Sequence, residues 1–411
     1  MAQTRLFGTD GIRGPFGEPP LDRETVTTLG LRLGELLAEE RSESLSAPTV
    51  VIGGDTRDST PTLCRWLASG LDASGARVRY TGVLTTPGIA YLARHLKADA
   101  GIAVSASHNP HPDNGIKLID RRGYKWSEAA EARLEERLTT VERDVPEHEL
   151  PEPATEAVAV YLAALQSALP PGESLAGLSV VLDPGHGAAS PFAERLFSDL
   201  GARVRVIHAE PDGTNINLDA GSTHPEALAR TVTEQAADLG IAFDGDADRA
   251  ILVDETGAVR DGDAILYLWA THLQADGGLR PPKIVATSMS NLGLEKALES
   301  RGIGMLRCDV GDRIVVETMK REGLVLGGEQ SGHVVHLRSS TTGDGLLTAL
   351  TMAGVAARGN RLGRTDDDLL GRPDDQPHLL TYPQKIHRHR HGPHGAHGHG
   401  ARGSTRGRSR T

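Results

Sequence analysis

Chemistry in this chain is most easily assigned to the string around Ser107. His108 stands beside this serine and Lys117 follows ten positions later. A hydroxyl flanked by an imidazole and an amine suits covalent group transfer, provided that the backbone holds it in place. The apolar run 101–104 predicts a buried strand, and the turn-forming residues of 107–115 predict a stiff, bent loop after it. The alternative for this string alone is a surface turn rich in Ser and Asn.

An acidic triplet is a candidate metal site. Asp244, Asp246 and Asp248 alternate with small residues, so that a curled loop could bring the three carboxylates together. Converging carboxylates repel one another unless a cation neutralises them, and oxygen ligands favour Mg²⁺, Ca²⁺ or Mn²⁺ over zinc. The triplet also matches the start of an EF-hand loop. Arg249 stands where that loop needs glycine and the flanks look like strands, which excludes the EF-hand.

A glycine-rich string at 327–333 contains Glu329, Ser331 and His333. A carboxylate paired with a hydroxyl can bind the hydroxyl groups of a sugar. The alternative for His333 alone is an ordinary core histidine. The string therefore predicts a subsite that binds carbohydrate.

Two cations could meet near Ser107. Arg13 lies in a glycine-rich turn at 7–14, and Lys117 follows the serine loop. A lysine beside another cation has a lowered pKa and can act as a base. The alternative is two surface charges.

Composition narrows the class of protein. The 411 residues suffice for two to four domains with sizeable cores, and the formal net charge of −11 argues against a nucleic-acid partner. Two cysteines cannot form a disulfide framework and suit a reducing cytoplasm. We found neither a signal peptide nor 18 consecutive apolar residues, so we expect no membrane partner and a cytoplasmic location.

Short β-branched runs alternate with longer amphipathic ones. The predicted strands are 50–52, 78–80, 101–104, 178–182, 204–207, 241–243, 284–286 and 324–326, the predicted helices are 61–71, 87–96, 127–143, 191–200 and 225–239, and a third round begins at 263–273. This rhythm predicts three consecutive layered α/β domains with mostly parallel, mixed sheets.

The polar strings occupy equivalent places in that rhythm. Ser107, Asp244 and Glu329 each follow closely on an apolar run. Ligands of open α/β sheets bind at the carboxyl ends of the strands. We therefore expect the three strand ends to face one central cleft.

The four strings, in this order, resemble those of the α-D-phosphohexomutases. They are Phe-Gly-Thr-Asp-Gly-Ile-Arg-Gly at 7–14, Ser-Ala-Ser-His-Asn-Pro at 105–110, Asp-Gly-Asp-Ala-Asp-Arg at 244–249 and Gly-Gly-Glu-Gln-Ser-Gly-His at 327–333. The resemblance runs from about residue 6 to about residue 368. It implies a phosphoserine-loop domain at 1–153, a metal-binding domain at 154–254 and a sugar-binding domain at 255–368.

The resemblance implies roles for the site residues. Ser107 would carry a phosphoryl group that, with the acidic triplet, binds Mg²⁺. Catalytic roles fall on Ser107, Lys117, Arg13 and His333, substrate binding on Glu329, Ser331, Arg249 and His108, and metal binding on Ser107, Asp244, Asp246 and Asp248. The substrate would be a small sugar phosphate, with a hexose 1,6-bisphosphate as activator, and a homodimer is left open.

Some strings favour the glucosamine branch of this family. Gln330, Thr-Asn-Ile-Asn at 214–217 and Gly-Ser-Thr-His-Pro at 221–225 are similar to that branch. The expected reaction interconverts glucosamine 6-phosphate and glucosamine 1-phosphate. The same chemistry on mannose or glucose phosphates, and a non-catalytic protein that binds sugar phosphates or metal, are the alternatives. A serine hydrolase is disfavoured because no nucleophile-elbow glycine pattern surrounds Ser107.

The resemblance stops near the C-terminal end of the sequence. The family's fourth domain carries an Arg-x-Ser-Gly-Thr-Glu-Pro-like phosphate clamp, and the sequence contains no such string. Residues 369–411 instead predict a vestigial start of that domain and a disordered His/Arg/Gly-rich tail. We therefore expect that the fourth domain is missing and that mutase activity is impaired. The tail is explained by a frame error in the gene or, alternatively, by a natural His-rich segment that binds metal.

Overall fold

The computed structural model describes residues 6–41, 46–138, 145–170 and 172–358. Within them the chain forms three successive α/β units, each built around its own mixed sheet. The expected fold class is confirmed. The predicted tail at 369–411 lies outside the described residues.

The first sheet has five strands in the spatial order β1-β5-β4-β2-β3. Strands β3, β2 and β4 are parallel, and β5 runs antiparallel to both β4 and β1. The elements of this unit are β1 (Ile12–Pro15), α1 (Arg23–Glu40), β2 (Thr49–Gly54), α2 (Thr60–Ala73), β3 (Arg77–Val83), α3 (Thr86–His95), β4 (Ala100–Val104), β5 (Asp113–Asp120) and α4 (Glu128–Glu135).

The second sheet has the order β10-β9-β8-β6-β7, with β7, β6 and β8 parallel and the remaining pairs antiparallel. Its unit contains α5 (Thr155–Gln166), β6 (Ser179–Asp183), α6 (Ala193–Asp199), β7 (Arg203–Val206), α7 (Glu226–Glu234), β8 (Leu239–Phe243), β9 (Ala250–Asp254) and β10 (Val259–Arg260). Helix α7 ends earlier than predicted because Ala236, with a φ of 48°, turns the chain into β8.

The third sheet has the order β12-β11-β13-β14, with only β13 and β14 antiparallel. Its unit contains α8 (Gly262–Ala275), β11 (Lys283–Thr287), α9 (Leu292–Ser300), β12 (Gly304–Cys308), α10 (Asp312–Glu322), β13 (Leu326–Gly328), β14 (Val334–His336) and α11 (Gly345–Ala357). Because β10 pairs with β9, the second sheet continues past residue 254, and the domain boundaries stay a prediction.

All three units repeat one plan. In each unit a central strand is followed by a parallel strand on one side and another on the opposite side, and the chain then turns back through a hairpin into an antiparallel strand. In the first unit, the edge strand β1 precedes this series. The central strands are apolar on both faces, which is typical of strands covered by helices on each side. The hairpin that follows the third parallel strand is thus an equivalent position in every unit.

One apolar core joins the three units. It includes Ile89 of α3, Tyr161 of α5, Ile241 of β8 and Leu350 of α11, all buried. Side chains from different units thus share one packed interior, which fixes the hairpins relative to one another. None of the described helices has the length and hydrophobicity needed to cross a bilayer.

The serine loop is shorter than predicted. Asn114 and Gly115, expected to form a turn, lie inside β5 and pair with β1. A Cβ atom at position 115 would lie 2.4 Å from the Ser105 carbonyl oxygen. Glycine is present there because another backbone approaches closely, and not because the chain turns.

Candidate functional site

The three polar strings occupy the equivalent hairpins. The loop between β4 and β5 contains Ser107, the loop between β8 and β9 contains the acidic triplet, and the loop between β13 and β14 contains Glu329 and His333. Hydrogen bonds and close contacts connect the first loop to the second, and the second to the third. The sheets therefore bring these strings together, as their positions after apolar runs predicted.

Ser107 is held in a constrained conformation. Its φ of 54° lies in the left-handed region, which non-glycine residues rarely adopt, and the residue is 2% exposed. The hydroxyl donates a hydrogen bond of 2.6 Å to Oδ2 of Asp244. Strained backbone is maintained only where the surroundings over-determine it, as is common at functional sites.

A buried network of hydrogen bonds holds the serine loop in place. The Oγ atom of Ser105 accepts a hydrogen bond of 2.9 Å from the amide of Ser107 and donates one of 2.5 Å to Asp55. Asp55 is paired with the fully buried Arg57, whose guanidinium also donates to the Asn109 carbonyl at 2.7 Å. Arg57 therefore positions the backbone of the serine loop.

Asn217 is a supporting residue whose role the sequence did not reveal. Its amide donates to the carbonyl oxygens of Ser107 at 2.9 Å and of Asn109 at 3.1 Å. The sequence marked this asparagine only as part of a branch-specific string. Its left-handed φ of 58° suits Asn, and its two hydrogen bonds tie the second unit to the serine loop.

His108 lies at the exposed side of Ser107. Its Nδ1 atom is 3.5 Å from the serine Oγ, at the outer limit of a hydrogen bond. Partial burial and the nearby Arg249 cation lower the pKa of His108, so the imidazole is neutral near pH 7. A neutral ring can accept or donate one hydrogen bond to a bound ligand, which fits the predicted substrate contact.

The acidic loop brings three carboxylates together. Oxygen atoms of Asp244, Asp246 and Asp248 all lie within 4.8 Å of one another, and all three residues are buried. Gly245 permits this packing, since a Cβ atom there would be 2.5 Å from the Ser107 carbonyl oxygen. Ala247 adopts a left-handed φ of 53°, which curls the loop.

The charges of these carboxylates are not fully compensated by the protein. Burial, together with the Asp248 and Asp246 charges, raises the pKa of Asp244 well above its ordinary range. Burial also opposes ionisation of Asp248, but Lys117 and His333 hold the pKa of Asp248 well below its ordinary range. Without a further cation, the surroundings therefore disfavour a negative charge on Asp244, next to the serine.

The donor set fits a hard divalent cation. The Oδ1 atoms of Asp246 and Asp248 are buried and have no hydrogen-bond partner among the described residues. Buried carboxylate oxygens without partners are costly, and a cation coordinated by several oxygens removes that cost. Three carboxylates and a serine oxygen contain no soft ligand, which suits Mg²⁺ better than zinc.

Lys117 contradicts the prediction of a lowered pKa. Its Nζ atom lies 2.7 Å from Asp246, 3.2 Å from Asp10 and 3.5 Å from Asp248. Burial opposes the charge, but these carboxylates raise the pKa of Lys117 well above its ordinary value. The prediction was wrong because three acids, and not Arg13, surround the amine. Lys117 is protonated here and is a buried counter-ion of these acids, and its expected catalytic role stays a prediction.

Arg13 is bound by an acid that the sequence did not single out. Its guanidinium donates to Asp10 at 2.8 Å, and its buried Nη1 atom has no partner among the described residues. Asp10 also pairs with Lys117 and, at 2.5 Å, with Lys125, which is mostly buried. Lys125 in turn contacts Asp312 of α10, so this chain of charges connects the first unit to the third.

Arg249 is positioned between the acids of the second loop. Its Nε atom lies 4.0 Å from Asp244 and 3.8 Å from Asp248, and is buried without a hydrogen-bond partner in the described structure. Burial opposes its charge, but Asp244, Asp248 and Glu329 raise the pKa of Arg249. The guanidinium therefore keeps donors available for an anionic ligand.

His333 is buried rather than open to a ligand. Its Nε2 atom accepts a hydrogen bond of 3.1 Å from the Gly343 amide, so the ring proton lies on Nδ1, 3.6 Å from Asp248. Burial disfavours the imidazolium, but Asp248 outweighs this effect and raises the pKa of His333. The histidine therefore orients a carboxylate of the acidic loop, and its expected catalytic role stays a prediction.

Glu329 and Ser331 form the predicted pair. The Ser331 hydroxyl donates to Glu329 at 3.3 Å, and the other carboxylate oxygen accepts the Gly311 amide at 3.0 Å. Ser331 is exposed and Glu329 partly exposed, so both can reach a ligand. Gln330 donates to Asp261, the N-terminal cap of α8, at 3.1 Å.

Family models match most of the chain. The three models are described as phosphoglucomutase/phosphomannomutase, alpha/beta/alpha domain I, domain II and domain III, and they match residues 4–144, 159–257 and 261–371. The first and third matches each cover a whole sheet, and the second covers its sheet except for β10. The order of the three domains is that of the family.

Curated relatives and a solved structure agree with these matches. A phosphoglucosamine mutase of Solibacter usitatus (strain Ellin6076) is 44% identical over 387 residues, which cover 93% of this chain and 82% of the relative. A phosphoglucosamine mutase of Symbiobacterium thermophilum is 46% identical over 359 residues, covering 86% and 79%. A phosphoglucomutase/phosphomannomutase family protein of Burkholderia thailandensis superposes with a TM-score of 0.74 at 27% identity, over 88% of this chain and 79% of that one.

Proposed function

This chain belongs to the α-D-phosphohexomutase family, and from that membership we propose that it interconverts glucosamine 6-phosphate and glucosamine 1-phosphate. The observation that carries the proposal is the buried Ser107 hydroxyl, in a strained loop and 2.6 Å from a carboxylate of the acidic triplet. Relatives that share over 40% of their residues with this chain are phosphoglucosamine mutases.

Ser107 is the proposed phosphoryl carrier. The phosphoryl group on its Oγ passes to the free hydroxyl of the sugar phosphate, so that the Oγ–P bond breaks, a sugar O–P bond forms and the sugar's proton replaces the phosphoryl group on the serine. The resulting 1,6-bisphosphate turns over in the cleft. Its other phosphoryl group then returns to Ser107, and the isomerised sugar phosphate leaves.

The surrounding residues have proposed roles that follow from their contacts. Asp244 accepts the hydrogen bond of the serine hydroxyl and so fixes the direction of Oγ. Arg249, with its unpartnered Nε atom, binds the transferring group, and His108 contacts it from the exposed side. Lys117 stays protonated and compensates the acids around it. Asp244, Asp246 and Asp248 would hold Mg²⁺, which when bound offsets charge on the transferring phosphoryl group.

Sugar recognition is assigned to the third hairpin. Glu329 and Ser331 offer an acceptor and a hydroxyl on an accessible surface. The Glu329 carboxylate helps to raise the pKa of Arg249, and we assign the phosphate of a sugar bound at Glu329 to this arginine. The amino sugar is proposed because of Gln330 and because the relatives above are phosphoglucosamine mutases.

A mutase assay on the purified full chain tests this function. The chain is activated with glucose 1,6-bisphosphate and Mg²⁺, and kcat/KM is measured for glucosamine, mannose and glucose phosphates. Glucosamine phosphate is expected to have the highest kcat/KM. A preference for mannose or glucose phosphate would assign the chain to the other branch. If no sugar phosphate is turned over, the chain would be a non-catalytic protein that binds sugar phosphates or metal.

The same assay and two further measurements test the remaining predictions. Impaired turnover, expected from the missing clamp string, would appear as a low kcat/KM for every sugar. Activation by a hexose 1,6-bisphosphate would appear as a lag that this compound removes. Light scattering on the same sample measures whether the protein is a dimer, and fractionation of cells tests the cytoplasmic location.

A further inference from the structure

A cavity lies where the three units meet. It has a volume of about 270 Å³ and is lined by residues of α3, of α5 and the turn after it, and of the segment 338–347, which runs from after β14 into the first turn of α11. None of its lining residues belongs to the serine loop or to the acidic loop. Its size is close to the lower end of the range for ligand pockets, and suits a small metabolite.

Two arginines line this cavity without a partner. Arg94 comes from the last turn of α3 and Arg338 from the segment after β14, and both are exposed. Neither guanidinium group makes a hydrogen bond or an ion pair within the part of the chain that the structure describes. Two arginines without partners in the lining of one cavity carry up to ten N–H donors that an anion can accept.

Neutral donors complete the lining. The hydroxyl of Tyr91 has no hydrogen-bond partner among the described residues, and its ring packs on Tyr161 with a centroid distance of 5.6 Å. The Ser340 oxygen accepts a hydrogen bond from the Thr342 amide at 3.4 Å, so its proton is available to a ligand. Phosphate oxygens are acceptors only, and a lining of donors matches them.

The one acid of the lining is engaged elsewhere. Asp344 caps α11 and accepts the Leu347 amide at 3.0 Å with one oxygen. Its other oxygen accepts the Tyr161 hydroxyl, also at 3.0 Å. Burial raises the pKa of Asp344 to about 6, so its charge is weakened below neutral pH. The cavity therefore has a net excess of positive charge.

We propose that this cavity is a binding site for a phosphate dianion, held between Arg94 and Arg338 and taken either as free phosphate or as the phosphate group of a small metabolite. Arginine binds phosphate with two parallel hydrogen bonds, which gives both affinity and orientation. Arg94 belongs to the first unit and Arg338 to the third, so the bound anion bridges them. It therefore stabilises the arrangement of the units, by mass action, whenever it is present.

A short series of contacts connects the segment that contains Arg338 to the acidic loop. Gly343, in the same segment as Arg338, donates to His333, and His333 lies 3.6 Å from Asp248. The proposal does not depend on the chain being a mutase, because it concerns other residues and a different readout. A failure of the mutase assay leaves it standing.

The test compares two double variants of equal charge. Arg94→Ala/Arg338→Ala removes both guanidinium groups of the cavity, and Arg203→Ala/Arg205→Ala removes two exposed arginines of β7 as the control. The melting temperature of each full-length protein is measured without Mg²⁺ while inorganic phosphate is added. Phosphate bound elsewhere contributes equally to all three proteins. We expect the cavity variant to show a smaller rise than the wild type and the control.

Calorimetry and crystallography complete the test. The dissociation constant of the cavity site is expected to rise at least about tenfold in Arg94→Ala/Arg338→Ala. Crystals soaked in selenate should show an anomalous peak between the two arginines in the wild type and the control only. Titration with glycerol 3-phosphate identifies the source: tighter binding than inorganic phosphate assigns the site to phosphorylated metabolites, and equal binding to the phosphate group itself. Identical melting curves in all three proteins, or a selenate peak absent from the wild-type cavity, would overturn the proposal.

Discussion

The Ser107 hydroxyl lies 2.6 Å from Oδ2 of Asp244, although the two residues are 137 positions apart and belong to different sheets. The contact exists because each residue stands in the hairpin after the third parallel strand of its unit. Parallel strands end at the same edge of a sheet, and the shared core turns two such edges toward each other. A nucleophile and an acidic loop are therefore combined by repeating one architecture.

The first prediction concerns the acidic loop. Asp246→Asn should weaken Mg²⁺ binding more than about tenfold, or ~1.4 kcal/mol, because a charged ligand is lost while the side-chain shape is kept. Calorimetry with MgCl₂ measures this affinity. Asp199→Asn, an exposed acid paired with Arg195, is the matched control and should bind like the wild type. Equal affinities of the Asp246→Asn variant and the wild type would remove Asp246 from the metal site.

The second prediction concerns the buried counter-ion. Lys117→Met should destabilise the metal-free protein by about 3–5 kcal/mol, because Asp246 and Asp248 lose their buried cation. Denaturant unfolding in EDTA measures the loss. Adding Mg²⁺ should restore part of it, since the metal would compensate the same carboxylates. The exposed Lys296→Met is the control, and a loss of the same size in both variants would contradict the role of Lys117.

The pKa of Lys117 shows what could not be predicted from the sequence. The sequence located Ser107 and the acidic triplet because each follows an apolar run, and Lys117 because it stands ten positions after Ser107. It could not reveal that Lys117 contacts Asp246, which is 129 positions away on another sheet. Contacts across units determine the electrostatics, and they leave no local pattern in the sequence.

Supporting residues were missed for the same reason. Asp10 lies in the string 7–14, but neither it nor Lys125 and Asp312 was given a role, because only the fold joins these charges into a chain between two units. The prediction for Gly115 was wrong for a different reason. An Asn-Gly pair predicts a turn, but Gly115 lies in β5, where the close Ser105 carbonyl leaves no room for a side chain. The recurring α/β rhythm, by contrast, was readable because it depends on local hydrophobic periodicity.

A third prediction uses pH. Hydrogen bonding to Asp183 raises the pKa of His208 above its unfolded value, so its stabilising contribution is complete below that value and is lost as the pH rises through the folded-state pKa. The contribution should be under about 1 kcal/mol because the imidazole is partly exposed. His208→Asn, which tolerates the left-handed φ of 49°, should remove it.

Urea unfolding of wild type and His208→Asn at several pH values measures this effect. The difference in unfolding free energy between the two proteins should shrink as the pH rises from about 6 to about 8. A difference that is constant, or that grows with pH, would contradict the assigned ion pair.

A fourth prediction concerns sugar preference. Gln330 donates to Asp261 and lies between the proposed sugar ligands Glu329 and Ser331. Gln330→Met should lower kcat/KM for glucosamine phosphate relative to mannose phosphate by about tenfold, the effect of roughly one hydrogen bond to a charged group. Unchanged ratios of kcat/KM would show that the residue does not contribute to specificity.

The central claim is that Ser107 carries the phosphoryl group, and intact-mass analysis with peptide mapping tests it most directly. Wild type, Ser107→Ala and the control Ser198→Ala, at an exposed serine of α6, are each incubated with glucose 1,6-bisphosphate and Mg²⁺. We expect one added phosphoryl group on Ser107 in the wild type and in Ser198→Ala, and none in Ser107→Ala, which should also lose mutase turnover while keeping its melting temperature. A phosphoryl group mapped to another residue, or wild-type turnover by Ser107→Ala, would contradict the account.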